Sequence, residues 1–172
     1  LAGAGVGNLS LVDDDDVAAV LVTPNSGLAT TESQGRADFT VVLGSQPFAD
    51  VTVTAVLQSV THVQLVTPPS GVSTFTSANW SIPVTFTLEG INNATPGDNP
   101  VTELTITPGS QDADYAAQPV VRIPVTNVDN DTPSLSLALL GGGPLKEGDG
   151  DYTVQVSLGA APAASVTVTL SA

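Results

Sequence analysis

The chain has 172 residues and a formal net charge of −14, with three Lys and Arg against seventeen Asp and Glu, and 41% of its residues are hydrophobic. So few basic side chains argue against nucleic acid, whose phosphates are held by Lys and Arg, and against direct attraction to anionic lipid. The lack of cysteine excludes a disulfide framework and a thiolate metal site.

No stretch approaches the ~20 apolar residues of a membrane span, so no direct membrane insertion is expected. Residues 1–11 lack the charged start and apolar run of a signal peptide, and the sequence, beginning without Met, reads as a mature piece or an internal window. Val and Thr dominate the periodic segments. Both are stiff at χ1 and favour strands, so the chain is expected to be all-β.

In chain order, 17–23 reads as a first strand, broken by Pro24-Asn25-Ser26-Gly27. Residues 37–43 set Phe39, Val41 and Leu43 on one face and Asp38 and Thr40 on the other, the period-two pattern of a half-buried strand. After a turn at Gln46-Pro47, 50–57 alternates again, with Val51, Val53 and Ala55 against Thr52 and Thr54. A shorter strand at 63–66 stops at Pro68-Pro69. Val84, Phe86 and Leu88 then share a face over 84–88, just after Trp80 and Pro83. A long polar loop at 92–100 leads to a strand at 101–107, an Asp-rich loop at 109–115 and a strand at 120–126. Short strands with regular turn signals describe a β-sandwich.

The chain also repeats itself. An ungapped shift of 115 residues sets Asp14 on Asp129, Asp16 on Asp131, Glu32 on Glu147, Leu43 on Leu158 and Gly44 on Gly159. It continues through Val51-Thr52-Val53-Thr54 on Val166-Thr167-Val168-Thr169. A period this long means tandem domains, not a short-repeat solenoid. The organisation is then the closing strand of a preceding repeat at 1–12, a complete repeat at 13–131, and the first half of the next at 132–172. Half a sandwich leaves an inner face and edge strands unpaired, so either the chain continues or another copy completes the fold.

The carboxylates cluster at fixed places in the period: Asp14 and Asp16, Glu32, Asp112 and Asp114, then Asp129 and Asp131. Like charges brought within ~4–6 Å raise each other's pKa, and few basic residues exist to neutralise them. Ca²⁺, which takes 6–8 oxygen ligands, is the economical counter-charge. The competing reading is that these are solvated turn residues, where Asp and Asn are favoured for local reasons.

A family likeness rests on the order of four segments. Glu32 follows the first strand, and Ala78-Asn79-Trp80 with Pro83 precedes an alternating strand. Asp112-Ala113-Asp114-Tyr115 comes next, and Val125-Thr126-Asn127-Val128-Asp129-Asn130-Asp131 closes the set. This order resembles Calx-β-like repeats of large secreted and surface-attached proteins, over about 14–131, and half of it recurs after Thr132. The resemblance implies tandem immunoglobulin-like sandwiches with Ca²⁺ at one end, bound by Glu32, Asp112, Asp114, Asp129 and Asp131, and with Glu147 serving the next copy. The loop 92–98 departs from the pattern, because Asp98 is its one carboxylate where such repeats commonly carry several.

Trp80 reads as an inter-sheet anchor or, alternatively, a sugar-stacking platform. One His at His62, no Cys and no Gly-x-Ser-x-Gly give no nucleophile–base pair of a typical kind, so no enzyme is expected. Asn8, Asn79, Asn93 and Asn130 head Asn-x-Ser/Thr sequons, Asn93 on the polar loop being the best glycan acceptor. The first functional reading is a structural module of an extracellular or cell-surface filament, adhesin or extender. In it calcium fixes the junctions, and the partners are neighbouring repeats of the same chain or other copies. The alternative is a ligand- or carbohydrate-binding adhesion module.

Overall fold

The computed structural model of the chain describes residues 17–97, 99–140, 148 and 151–169. Nine strands build one sandwich: β1 (Val20–Thr23), β2 (Leu28–Thr31), β3 (Arg36–Leu43), β4 (Val51–Leu57), β5 (Val63–Thr67), β6 (Val72–Phe75), β7 (Val84–Gly90), β8 (Val101–Ser110) and β9 (Val121–Val128). A four-stranded sheet, β1-β3-β7-β5, faces a five-stranded sheet, β2-β9-β8-β4-β6. The fold is an all-β, immunoglobulin-like sandwich.

The alternation seen in the sequence is the burial pattern. Phe39, Val41 and Leu43 on β3, Val51 and Val53 on β4, Phe86 and Leu88 on β7, and Leu104 and Ile106 on β8 are buried in one core. Phe39 and Phe86 are cross-strand partners whose rings stack at 5.0 Å. Full burial of such side chains contributes about 1.5–3 kcal/mol each. Trp80 is half-buried and packs against the same core, as an anchor does.

Two strands and a helical turn depart from the sequence reading. β2 carries one large apolar residue, Leu28, and is a strand because β9 takes it as a parallel neighbour, Leu28 to Thr31 opposite Val125 to Val128. β6 owes its state to antiparallel pairing with β4. The stretch expected as a loop from 109 begins inside β8 and continues into the short α1 (Ala113–Ala116). Pro108 and Pro124 sit inside strands, but each lies just beyond the reach of one neighbour. β9 pairs with β8 only as far as Ile106, and β2 meets β9 only from Val125. A proline without its N–H is tolerated at such places.

Beyond Asp131, β10 (Leu135–Leu140) and β11 (Thr153–Leu158) form an antiparallel pair. Leu135 pairs with Leu158 and Leu137 with Val156, as Val20 pairs with Leu43 and Val22 with Val41, so the registers superpose under the 115-residue shift. The Gly159 N–H donates to the Ser134 carbonyl at 2.9 Å, as Gly44 does to Ala19 at 2.8 Å. Val166-Thr167-Val168-Thr169, read as the counterpart of β4, is not a strand. β4 is held between β8 and β6, and residues 166–169 have no such flanking strands among the described residues.

Candidate metal centre

One end of the sandwich gathers carboxylates. The parallel ladder of β2 and β9 ends with Thr31 opposite Val128, and the Glu32 N–H extends it by donating to the Val128 carbonyl at 3.0 Å. Residues 97 positions apart in the chain thereby become neighbours. Carboxylate oxygens of Glu32, Asp129 and Asp131 lie within 4.8 Å of one another. Oxygens bound to one Ca²⁺ at ~2.3–2.6 Å are at most about 5 Å apart, so the three fit around a single such ion.

The backbone and its neighbours fix the cluster. Asp129 Oδ1 accepts the Asp131 N–H at 2.9 Å, and Asp129 Oδ2 accepts the Gly97 N–H at 2.8 Å. The Asp129 N–H donates to Asn99 Oδ1 at 2.8 Å. Asn93 Nδ2 donates to Glu32 Oε1, while its Oδ1 accepts the Thr95 N–H at 2.6 Å. Beneath them the fully buried Asn127 accepts from Thr30 Oγ1 at 2.9 Å and donates to the Ile91 carbonyl at 3.1 Å, tying β2, β9 and the 91–100 loop together. Gly90 completes the floor. A Cβ there would collide with the Thr31 carbonyl and Asn127 Oδ1.

Glu32 is completely buried, and its Oε2 and the Asp131 Oδ2 are buried side-chain oxygens without a hydrogen-bond partner. Leaving such an atom unpaired is costly. Desolvation, then a side-chain hydrogen bond with Asp129 and the Asp129 and Asp131 charges, push the Glu32 carboxyl above its ordinary value. The Gly97 and Asp131 N–H groups hold Asp129 below its own. Both described arginines are engaged elsewhere, Arg36 with Glu89 at 2.8 Å and Arg122 with Glu103 at 2.5 Å. Three carboxylates, two of them with a buried oxygen that no protein group satisfies, make a donor set that suits a divalent cation.

The remaining expected ligands are placed differently. β8 and β9 are antiparallel, so the acids that follow them emerge at opposite ends of the sandwich. The ten residues of β8 span about 30 Å. A single site containing Asp112 and Asp114 with Glu32 is therefore ruled out within this repeat. Asp112 instead caps α1, accepting the Asp114 N–H at 3.0 Å and the Phe48 N–H at 2.8 Å, and Asp114 is exposed. Beside them the buried Tyr115 donates its hydroxyl to the Ser45 carbonyl at 2.5 Å. Asp14, Asp16, Glu147 and Asn8 lie outside the described residues.

Of the other sequons, the Asn93 amide nitrogen is committed to Glu32 and the Asn79 amide nitrogen to the Thr74 carbonyl at 3.3 Å. Asn130 is exposed between the two cluster aspartates. The sequence reading puts neither Asn127 nor Asn93 at the acidic cluster, Asn93 being read there as a glycan acceptor. Asn127 lies two residues before Asp129, but its inward face follows only from the β9 register.

No family model matches the chain, and no curated protein matches it. Solved structures of similar fold include the PapD-like domain 7 of human CEP192, 7% identical with a TM-score of 0.50, covering 76% of this chain and 99% of that one. The apo-form Calx CBD1 domain is 13% identical over 67% of this chain and 99% of its own, with a TM-score of 0.47. Domains 4 and 5 of the S-layer protein SbsC are 21% identical over 64% of this chain and 51% of theirs, with a TM-score of 0.40. At these identities the likeness is one of fold, and the CEP192 domain carries it. No helix among the described residues is long and apolar enough to cross a membrane.

Proposed function

We propose that this chain is a non-enzymatic structural module, a segment of a repeat array in an extracellular or cell-surface filament, adhesin or extender. Its acidic end binds Ca²⁺ through Glu32, Asp129 and Asp131. The observation that carries the cation is Glu32, fully buried with one oxygen unpartnered beside two more carboxylates. A buried acid in that setting either keeps a proton or takes a cation.

The position of the cluster supports a junction role. Asp131 is followed directly by the segment leading to β10, and a cleft there is lined by Asp129, Asp131, Pro133 and Ser134 together with Leu158 and residues 160–166. A cation at this place restrains the chain as it leaves one sandwich and starts the next.

Calcium titration calorimetry on the chain, paired with small-angle scattering with and without excess chelator, tests the reading. Binding to one site that Glu32→Gln removes, with scattering dimensions that change on chelation, is the expected result. No heat of binding, together with unchanged melting, overturns the calcium role and leaves the fold untouched.

A further inference from the structure

Phe48 is 97% exposed at the tip of the β3–β4 connection, on the end of the sandwich opposite the acidic cluster. Among the described residues nothing covers the ring, although its N–H is fixed by Asp112. The β10–β11 pair shows what such a loop does. Under the 115-residue shift, 159–165 is the counterpart of 44–50, with Ala161 for Gln46 and Ala163 for Phe48. The flanking strands share one register.

That second loop touches the sandwich before it, although its residues 161–165 stay exposed. The Ala161 N–H donates to the Ala94 carbonyl at 2.7 Å. Ala163 lines an open cleft with Pro96, Gly97 and Leu158, of about 650 Å³. Alanine leaves that cleft unfilled. A phenylalanine at the same loop position is an apolar ring of the right kind to fill it, since desolvating a large aromatic is a main source of contact energy.

We infer that the 44–50 loop is the docking face for a further copy of the repeat upstream. In that contact Phe48 enters the cleft formed by the upstream copy's counterparts of Pro96 and Gly97. The contact is heterologous, one end on the other, and therefore propagates as a string and does not close into a dimer. It rests on the reading of the chain as a string of repeats, and not on the cation.

The chain has no cysteine, so a single introduced thiol reports on the contact. A further copy of residues 17–131 is placed between Asp16 and Val17 of the full chain, which joins Asp131 to Val17 as Asp16 is joined to it now. Gln46→Cys is introduced in either the inserted copy or the original one, now downstream. The downstream thiol should react more slowly by about tenfold, and adding Phe48→Ala in that copy should restore the fast rate. Equal rates in both copies, or protection indifferent to Phe48→Ala, overturn the inference while leaving the repeat reading intact. If the insertion adds no melting enthalpy, the repeat reading falls and the contact with it.

Discussion

Thr31 and Val128 are register partners at the last step of a parallel strand pair, and the residue after each, Glu32 and Asp129, therefore meets the other at the same end of the sandwich. Everything proposed for the acidic end depends on that pairing. The parallel neighbour is also the feature that an alternating pattern signals least.

Replacing Glu32 with Gln should separate the two consequences of its burial. Without calcium the variant should melt higher than the parent, because a neutral amide replaces an acid pressed against Asp129 and Asp131. With calcium the order should reverse, since a ligand at about 100 times its Kd adds roughly 2.7 kcal/mol to the parent alone. Differential scanning calorimetry in chelator and in calcium reads both, and a parent that is unmoved by calcium contradicts the prediction.

The pH dependence should have opposite slopes for its two acids. Glu32 is raised above the ordinary glutamate value of 4.5, so in chelator the stability falls as pH climbs from that value through the raised one. Asp129 is depressed below 3.8, so its contribution is present above that value and lost as pH falls through the lower one. Calcium competes with the Glu32 proton, so its affinity should rise over the window where the chelated protein weakens. Melting curves from pH 3 to 7, with and without calcium, check the signs.

Asn127→Ala should cost about 1–3 kcal/mol, the usual penalty for orphaning buried hydrogen-bonding groups. It strands Thr30 Oγ1 and the Ile91 carbonyl at once. Calcium affinity should fall with it, since the 91–100 loop loses its side-chain tie to β9 and keeps the backbone bond from Asn127 to Pro100 and the Asp129 contacts alone. Denaturant unfolding and calorimetric titration on the same variant measure both effects.

Asp112→Ala is the discriminating control at the other end. Loss of a helix cap costs about 1 kcal/mol, and the Phe48 N–H loses its acceptor as well. Calcium affinity should not change. A loss of calcium binding comparable with that of Glu32→Gln would mean that the ends are linked in a way the strand directions do not provide.

Much of this architecture can be read from residue pattern alone. Strands β3, β4 and β7 announce themselves by apolar and polar residues alternating along much of their length, and the 115-residue shift matches the observed strand register of β10 and β11. β2 and β6 are four residues each and too short to show a period, and their strand state comes from neighbours far away in the chain. Grouping Asp112 and Asp114 with Glu32 failed for a reason that was available in the sequence. Acids that follow two consecutive antiparallel strands face opposite ends, however alike their motifs look. Asn93, by contrast, could not have been assigned without coordinates, because an amide in a polar loop carries no sign of which acid it reaches.

The β2–β9 pair has a mechanical meaning. The described chain starts at Val17 beside Tyr115 at one end of the sandwich and leaves through Asp131 at the other. Because β2 runs parallel to β9, tension applied between those ends loads their ladder, with the Glu32 N–H to Val128 bond at its tip, in shear. Bonds loaded side by side must break together, whereas a hairpin peels open one rung at a time. A strand pair loaded in this way resists extension as a clamp, and the cation proposed for Glu32 and Asp129 would bolt the clamp at the point where it would first slip.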